Sequence, residues 1–358
     1  MTHNMENTST QLYQLNSHNP DSQVINLAAQ VIIQGGLVAF PTETVYGLGA
    51  NGLDGAAVAK IYQAKGRPSD NPLILHVAEV GMVGQLCQKL SDEAQLLMSK
   101  FWPGPLTLVL PKAEGIPQEV TGGLQTVAVR MPDHPVALAL IKAAGVPIAA
   151  PSANKSGRPS PTTATHVQTD LQGRIDVILD GGPAGLGVES TVLDLSSPIP
   201  TILRPGGVTY EQLCQVLKEI TIDPSVLGEK LPQDQAPRSP GMKYIHYAPA
   251  APVILFEGEP EQVRQSLLNR AKELLTQGKR IGILATEESA AVYPSEAIIL
   301  KLGHRETPAA AATRLFALLR EFDQLKVETI LAESVPPKGI GLAVLNRLRR
   351  AAGEIVRS

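Results

Sequence analysis

The chain has 358 residues, 43% of them hydrophobic and 18% charged, with a formal net charge of −3. That length and make-up fit a globular protein with room for two domains, and no apolar run reaches the ~18–20 residues a membrane-spanning helix needs. The charge is slightly negative before residue 250 and slightly positive after it, which excludes calling the chain a nucleic-acid binder from bulk charge; any cationic site has to be local.

The opening MTHNMENTSTQLYQLNSHNP is polar and has no basic stretch ahead of an apolar core. Residues 1–20 therefore read as a flexible tail and not as a secretory signal. From 21 to 220, short apolar runs alternate with helical patterns. GLVAF (36–40), PLILHV (72–77), LTLVL (106–110), TVAVRM (126–131), PIAA (147–150), DVILD (176–180), TVLDL (191–195) and TILR (201–204) read as strands, being rich in Val, Ile and Leu. Helices are expected near 22–34, 54–64, 91–100, 134–144 and 209–219, with Asp54 as an N-cap and Ser91 with Glu93 opening the third. The pattern is that of one α/β domain with a largely buried sheet.

Residues 221–250 are rich in Pro, Gly and charge and have no period, so they read as a linker. From 251 to 358 a second α/β pattern follows. PVILF, RIGILA, AIILKL and VETILAES are strands; EPEQVRQSLLNRAKELLTQG, TPAAAATRLFALLREFDQL and a closing GLAVLNRLRRAAGEI are helices. This is a smaller Rossmann-like layer, and without a GxGxxG it is assigned no dinucleotide. Cys87 and Cys214 each lie among apolar residues in helix-like stretches and read as buried free thiols in a reducing cytoplasm.

No GxxxxGK[ST], GxSxG, HExxH or CxxC occurs, so any nucleotide is handled without a Walker loop. Polar residues instead gather at strand ends. GLVAFPTETVYGLG (36–49) runs from a strand into two threonines, a glutamate and a tyrosine, either as turn chemistry or as a lip presenting hydroxyls to a ligand. In AKGRPSDNPLILHV (64–77), Pro68 and Pro72 stiffen a connector bearing Lys65, Arg67 and Asn71. Its cations either complement a helix C-terminus or converge on a phosphate chain. His76 alone is what a satisfied core histidine looks like. Arg130, in the apolar strand TVAVRMP, is either half of a buried ion pair or a cation aimed at a ligand carboxylate. APSANKSGRPSPT (150–162), GGPAGLGVESTVLDL (181–195) and ILRPG with Arg204 repeat the theme: small donors, close-approaching backbone and cations suit a phosphate-binding nest.

FPTETVYGLG, KGRPSDNPLILHV, TVAVRMP, PSANKSGRPSPT, ESTVLDL and ILRPG, in this order and spacing, resemble the signature blocks of the YrdC/Sua5 family. SPGMKYIHYAP (239–249) is similar to the linker motif of its two-domain Sua5 type, and the likeness covers roughly residues 22–358. The resemblance implies an open twisted α/β sheet with a concave, positively charged cleft and a cytoplasmic nucleotidyltransferase. That enzyme would condense L-threonine, bicarbonate or CO₂, and ATP with Mg²⁺ into L-threonylcarbamoyladenylate, releasing pyrophosphate. A separate threonylcarbamoyl transferase complex would then modify tRNA position 37.

The same resemblance implies that Thr44, His76, Arg130, Ala150 and Ser190 line the threonine site, with Arg130 on the carboxylate. It makes Arg67, Asn71, Thr126, Ser152, Ser160 and Arg204 ATP contacts, puts Lys65 and Arg67 at the chemistry, and brings Lys155 or Arg158 nearby. The linker would contribute Tyr244, His246 or Tyr247, and no protein-held metal is expected. Carbamoyl transferases of hydrogenase maturation have related sheets, but they carry zinc-finger regions whose cysteines this chain lacks. A double-stranded RNA-binding module without ATP turnover is the alternative of a different class.

Overall fold

The computed structural model describes residues 9–228, 238 and 246–358. These divide into two compact units. One holds the described residues up to Ser156 and from Ser160 through Arg238; the other holds Gly157–Pro159 and the residues from His246 to Ser358.

The strands of the first unit are β1 (Gln11–Gln14), β2 (Val38–Phe40), β3 (Gly47–Asn51), β4 (Ile74–His76), β5 (Leu106–Pro111), β6 (Thr126–Arg130), β7 (Ile148–Ala149), β8 (Val177–Asp180), β9 (Thr191–Asp194), β10 (Thr201–Arg204) and β11 (Thr221–Ile222). They form a mixed sheet in the order β1-β8-β2-β3-β7-β4-β6-β5-β9-β10-β11. Its helices are α1 (Ser22–Ile33), α2 (Gly55–Lys65), α3 (Asp92–Phe101), α4 (Gln118–Thr121), α5 (Pro135–Ala144), α6 (Ala164–Leu171) and α7 (Tyr210–Cys214). Asp54 caps α2 by accepting from Ala56 N and Ala57 N, and Ser91 caps α3 by accepting from Ala94 N, so both starts follow from one side-chain acceptor each.

Side-chain alternation sorts the sheet into two faces. On one, Leu75, Leu108, Leu110, Val127, Val129 and Leu193 pack with Val58 and Ile61 of α2 and Leu97 and Met98 of α3. On the other, Phe40, Ile148 and Ala150 pack with Ile25 and Ile32 of α1 and Leu140 and Ile141 of α5. Further along that second face lies a small separate cluster, Ile74, Val109, Ala128, Val192 and Leu203, which contains no helical residue. Its five members are buried.

The second unit is a parallel sheet ordered β14-β13-β15-β12-β16. Its elements are β12 (Val253–Glu257), α8 (Pro260–Thr276), β13 (Ile281–Thr286), β14 (Ile298–Gly303), α9 (Pro308–Gln324), β15 (Thr329–Glu333), α10 (Gly341–Ala351) and β16 (Ala352–Arg357). Val263, Leu267 and Ala271 of α8 pack on Ile254, Phe256, Ile283 and Leu331. Among the described residues no helix is long and apolar enough to cross a membrane.

Several expectations are corrected. Gln11–Gln14, read as part of a loose tail, pairs in parallel with β8 through backbone bonds, because an edge strand exposed along most of its length needs no apolar pattern. The helix expected over 209–219 stops at Cys214, and Cys214 is exposed on that short surface helix, while Cys87 is buried as expected. The closing helix ends at Ala351, and AGEIVR continues as β16 beside β12. Strand β3 and helix α6 were not foreseen.

Candidate active site

Strand β6 sets the scale of the site. Thr126, Ala128 and Arg130 share its face, and Thr126 and Arg130 stand about 13 Å apart at strand rise. Register places Ile74 beside Ala128 and His76 beside Arg130 on one side, and Val109 beside Ala128 on the other. The middle of the site is thus an apolar floor, with polar groups at both ends.

At one end Arg130 is only 3% exposed. Its Nη1 donates to Thr44 Oγ1 at 3.0 Å and its Nε to Gly104 O at 3.2 Å. Nη2 lies 2.5 Å from Glu43 Oε1. That contact is charge against charge without hydrogen-bond alignment: neither Glu43 carboxylate oxygen, nor Arg130 Nη2, takes a hydrogen bond, although all three are buried. The 41–46 turn is braced by Thr42, whose Oγ1 donates to Val45 O at 2.6 Å and lies 2.8 Å from Thr44 Oγ1. His76 is buried, with Nδ1 3.2 Å from Ile74 O and its ring edge-on to Phe40 at 6.1 Å. Burial first, and the Arg130 charge second, lower its pKa to about 3, so the imidazole is neutral at ordinary pH. Ala150 N donates to Ile74 O at 2.9 Å, which fixes the chain leaving β7 against β4.

A second polar group lies at the start of β9. Ser190 Oγ is 2.8 Å from Thr107 Oγ1, and Arg204 donates from Nη2 to Ser190 Oγ and from Nε to Ser190 O, each at 3.1 Å. Ser160 Oγ donates to Glu189 Oε1 at 2.5 Å. Backbone approach makes this possible: a Cβ on Gly206 would fall 2.3 Å from Ser190 C and from Thr191 N.

The other end of the floor is built by the turn after α2. Gly66 adopts φ +63°, a left-handed C-cap open to glycine, and Arg67 N then bonds Tyr62 O at 2.9 Å. Arg67 Nη2 reaches Asn71 O at 3.3 Å and Pro72 O at 3.2 Å. The Tyr62 hydroxyl donates to Glu119 O at 2.7 Å and lies 3.1 Å from Asn71 O; burial pushes its pKa up to about 12. Asn71 is 1% exposed, and its Oδ1 takes no hydrogen bond. Lys65 Nζ donates to Ser152 O at 2.5 Å and Asn154 O at 2.6 Å, with Asn154 Oδ1 at 3.4 Å. The KGR and PSAN blocks, far apart in sequence, are therefore lashed together by one buried ammonium. Thr126 is half-buried at this end of β6.

The first unit thus gathers Thr44, His76 and Arg130 at one end, Ala150 beside Ile74 at the middle of the floor, Ser190, Arg204 and Ser160 around the start of β9, and Lys65, Arg67, Asn71, Ser152 and Thr126 at the other end. Lys155 is exposed. Arg158 belongs to the second unit, where it pairs with Asp323 at 2.7 Å. So do His246 and Tyr247; Tyr247 stacks on Phe316 at 5.2 Å with the Arg347 guanidinium 5.4 Å from its ring centre. Tyr244 lies outside the described residues. Among the described residues no three His, Cys, Asp or Glu side chains are grouped to hold a metal ion.

Sequence reasoning passed over Glu43, Thr107 and Glu189 as site residues. The available signals were a carboxylate inside the TET turn and a lone threonine at an even position of an apolar strand.

A family model described as telomere recombination matches residues 30–206, and one described as the threonylcarbamoyl-AMP synthase C-terminal domain matches 208–353. Threonylcarbamoyl-AMP synthase of Bacillus subtilis is 51% identical over 93% of this chain and 94% of its own length. The Pyrococcus abyssi enzyme of that name is 50% identical over 92% and 94%. The crystal structure of P. abyssi Sua5 complexed with L-threonine superposes with a TM-score of 0.91 at 48% identity, covering 98% of this chain and all of that one. On fold, signature blocks and full-length similarity together, the chain belongs to the threonylcarbamoyl-AMP synthase family, in its two-domain Sua5 form.

Proposed function

We propose that this protein condenses L-threonine, bicarbonate or CO₂, and ATP into L-threonylcarbamoyladenylate with release of pyrophosphate, a nucleotidyl transfer. The observation that supports it best is the pairing of a buried arginine at one end of an apolar floor with a polar turn at the other. Arg130, with Thr44 and neutral His76, suits an amino-acid carboxylate and hydroxyl. Arg67, Asn71, Thr126 and Ser152, with Ser160 and Arg204, suit a nucleotide.

The threonine amine and CO₂ form a carbamate, whose oxygen attacks the α-phosphorus in line as the bond to pyrophosphate breaks. Such transfers need positioning and charge stabilisation more than covalent help. Arg67 meets phosphate charge. Lys65 shapes the loop that carries Ser152, since its ammonium is engaged by backbone carbonyls. Mg²⁺ enters as part of the Mg·ATP substrate, because this ion is held largely by phosphates and water.

The product is a mixed anhydride that a threonylcarbamoyl transferase complex would consume in the cytoplasm for tRNA position 37. The linker segment from which a lid over the anhydride would come, 229–245 apart from Arg238, lies outside the described residues. The testing experiment is pyrophosphate release from ATP with L-threonine and bicarbonate omitted in turn. Release that requires both supports the reading. ATP left untouched under every combination overturns it and makes RNA the next ligand to try.

A further inference from the structure

Resting on the reading of Arg130 as the threonine-carboxylate partner, we propose that Glu43 is the residue that recognises the threonine amino group. The two buried groups face each other 2.5 Å apart, with Glu43 side-chain exposure at 18% and Arg130 at 4%. Two buried charges in contact are ordinary. What is unusual is that both Glu43 oxygens and Arg130 Nη2 lack any hydrogen bond. A buried carboxylate gains most of its stabilisation from aligned donors, so this pair is held short of its best arrangement.

An amino acid completes it. L-Threonine carries a carboxylate and an ammonium on the same carbon, the mirror of what Arg130 and Glu43 present. Inserted between them, its carboxylate takes Nη2 of Arg130 and its ammonium donates to the Glu43 oxygens. Each protein charge then exchanges a poorly aligned partner for a hydrogen-bonded one. Thr44, already bonded to Arg130 Nη1 at 3.0 Å, sits next to Glu43 in the chain and keeps both groups on one turn. In the ligand-free protein Glu43 stands in for the substrate carboxylate. In the complex it selects for ligands bearing an α-amine, the nitrogen that must be carbamoylated.

Titration calorimetry on the full-length protein compares L-threonine with (3R)-3-hydroxybutyrate, which keeps the carboxylate and hydroxyl but has no amine. The wild type should prefer threonine by at least about 100-fold, since binding the analogue would leave Glu43 buried without a partner. In Glu43→Gln the preference should fall to under about 10-fold, and Glu43→Asp should restore part of it. An unchanged ratio in Glu43→Gln, with both affinities shifting together, overturns the proposal and leaves Glu43 a structural counter-ion. If Arg130→Gln leaves the binding of both ligands unaltered, the carboxylate assignment beneath the proposal fails instead. Circular dichroism and melting of each variant separate loss of recognition from loss of fold.

Discussion

His76 and Arg130 sit side by side in parallel register on β4 and β6, on the sheet face that carries the apolar floor. The imidazole is buried next to a permanent cation, and this depresses its folded-state pKa to about 3, against about 6.5 unfolded. Between those values the unfolded chain binds the extra proton. Stability from this residue is therefore complete above pH ~6.5 and is lost as pH falls toward 3, at about 1.4 kcal/mol per pH unit. Urea unfolding should show this slope between pH 6.5 and 4.5 and none from this residue between pH 7.5 and 6.5, and His76→Gln should flatten it. An equal slope in the variant would assign the pH dependence to other groups.

Arg130→Gln should weaken L-threonine binding by about 100-fold while changing ATP binding little. It should also cost about 3 kcal/mol of stability, because Glu43 is left buried without its counter-charge. Calorimetry with each ligand checks the first part and urea midpoints the second. Equal losses for threonine and ATP would mark Arg130 as a purely structural ion-pair member.

Lys65→Met keeps the aliphatic stem and removes the ammonium. The Ser152 and Asn154 carbonyls then lose a buried donor, a cost of about 1–3 kcal/mol. Hydrogen exchange should quicken across 152–156, and ATP affinity should fall with it. Lost ATP affinity with unaltered exchange in that loop would instead make Lys65 a direct phosphate contact.

Gly206→Ala tests the packing beneath Ser190. The added methyl would lie 2.3 Å from Ser190 C and 2.4 Å from Glu189 O, both backbone atoms, so no side-chain rotation relieves it. Overpacking of this kind costs about 1–3 kcal/mol. The melting temperature should drop, and the Ser190–Thr107–Arg204 group should lose its geometry, lowering pyrophosphate release. A variant with wild-type melting and turnover would show that the 204–208 turn can move away from β9.

Much of this architecture was legible in the chain. Val- and Ile-rich runs such as TVAVR and TILR announced their strands because a buried strand needs no partner to be apolar. Asp54 and Ser91 announced helix starts because a cap is a local bond. The elements missed were those whose state depends on a neighbour. QLYQ becomes a strand only because β8 offers its backbone edge, and GLGAN, though glycine-rich, is a strand because β2 and β7 flank it. AGEIVR follows α10, where Gly353 is a local stop, but only its pairing with β12 makes the segment a strand.

The site divides along the same line. The sequence by itself determined the residue types available: a stiff Lys-Gly-Arg connector, hydroxyl-rich strand ends, and an arginine in an apolar strand. Only the tertiary structure decided what each one meets. Lys65 bonds carbonyls 87 and 89 residues away, and Arg130 meets a carboxylate 87 positions earlier in the chain. Those partners are set by strand register and by which face each side chain takes. Register and face follow from pairing between distant segments, which no local pattern encodes.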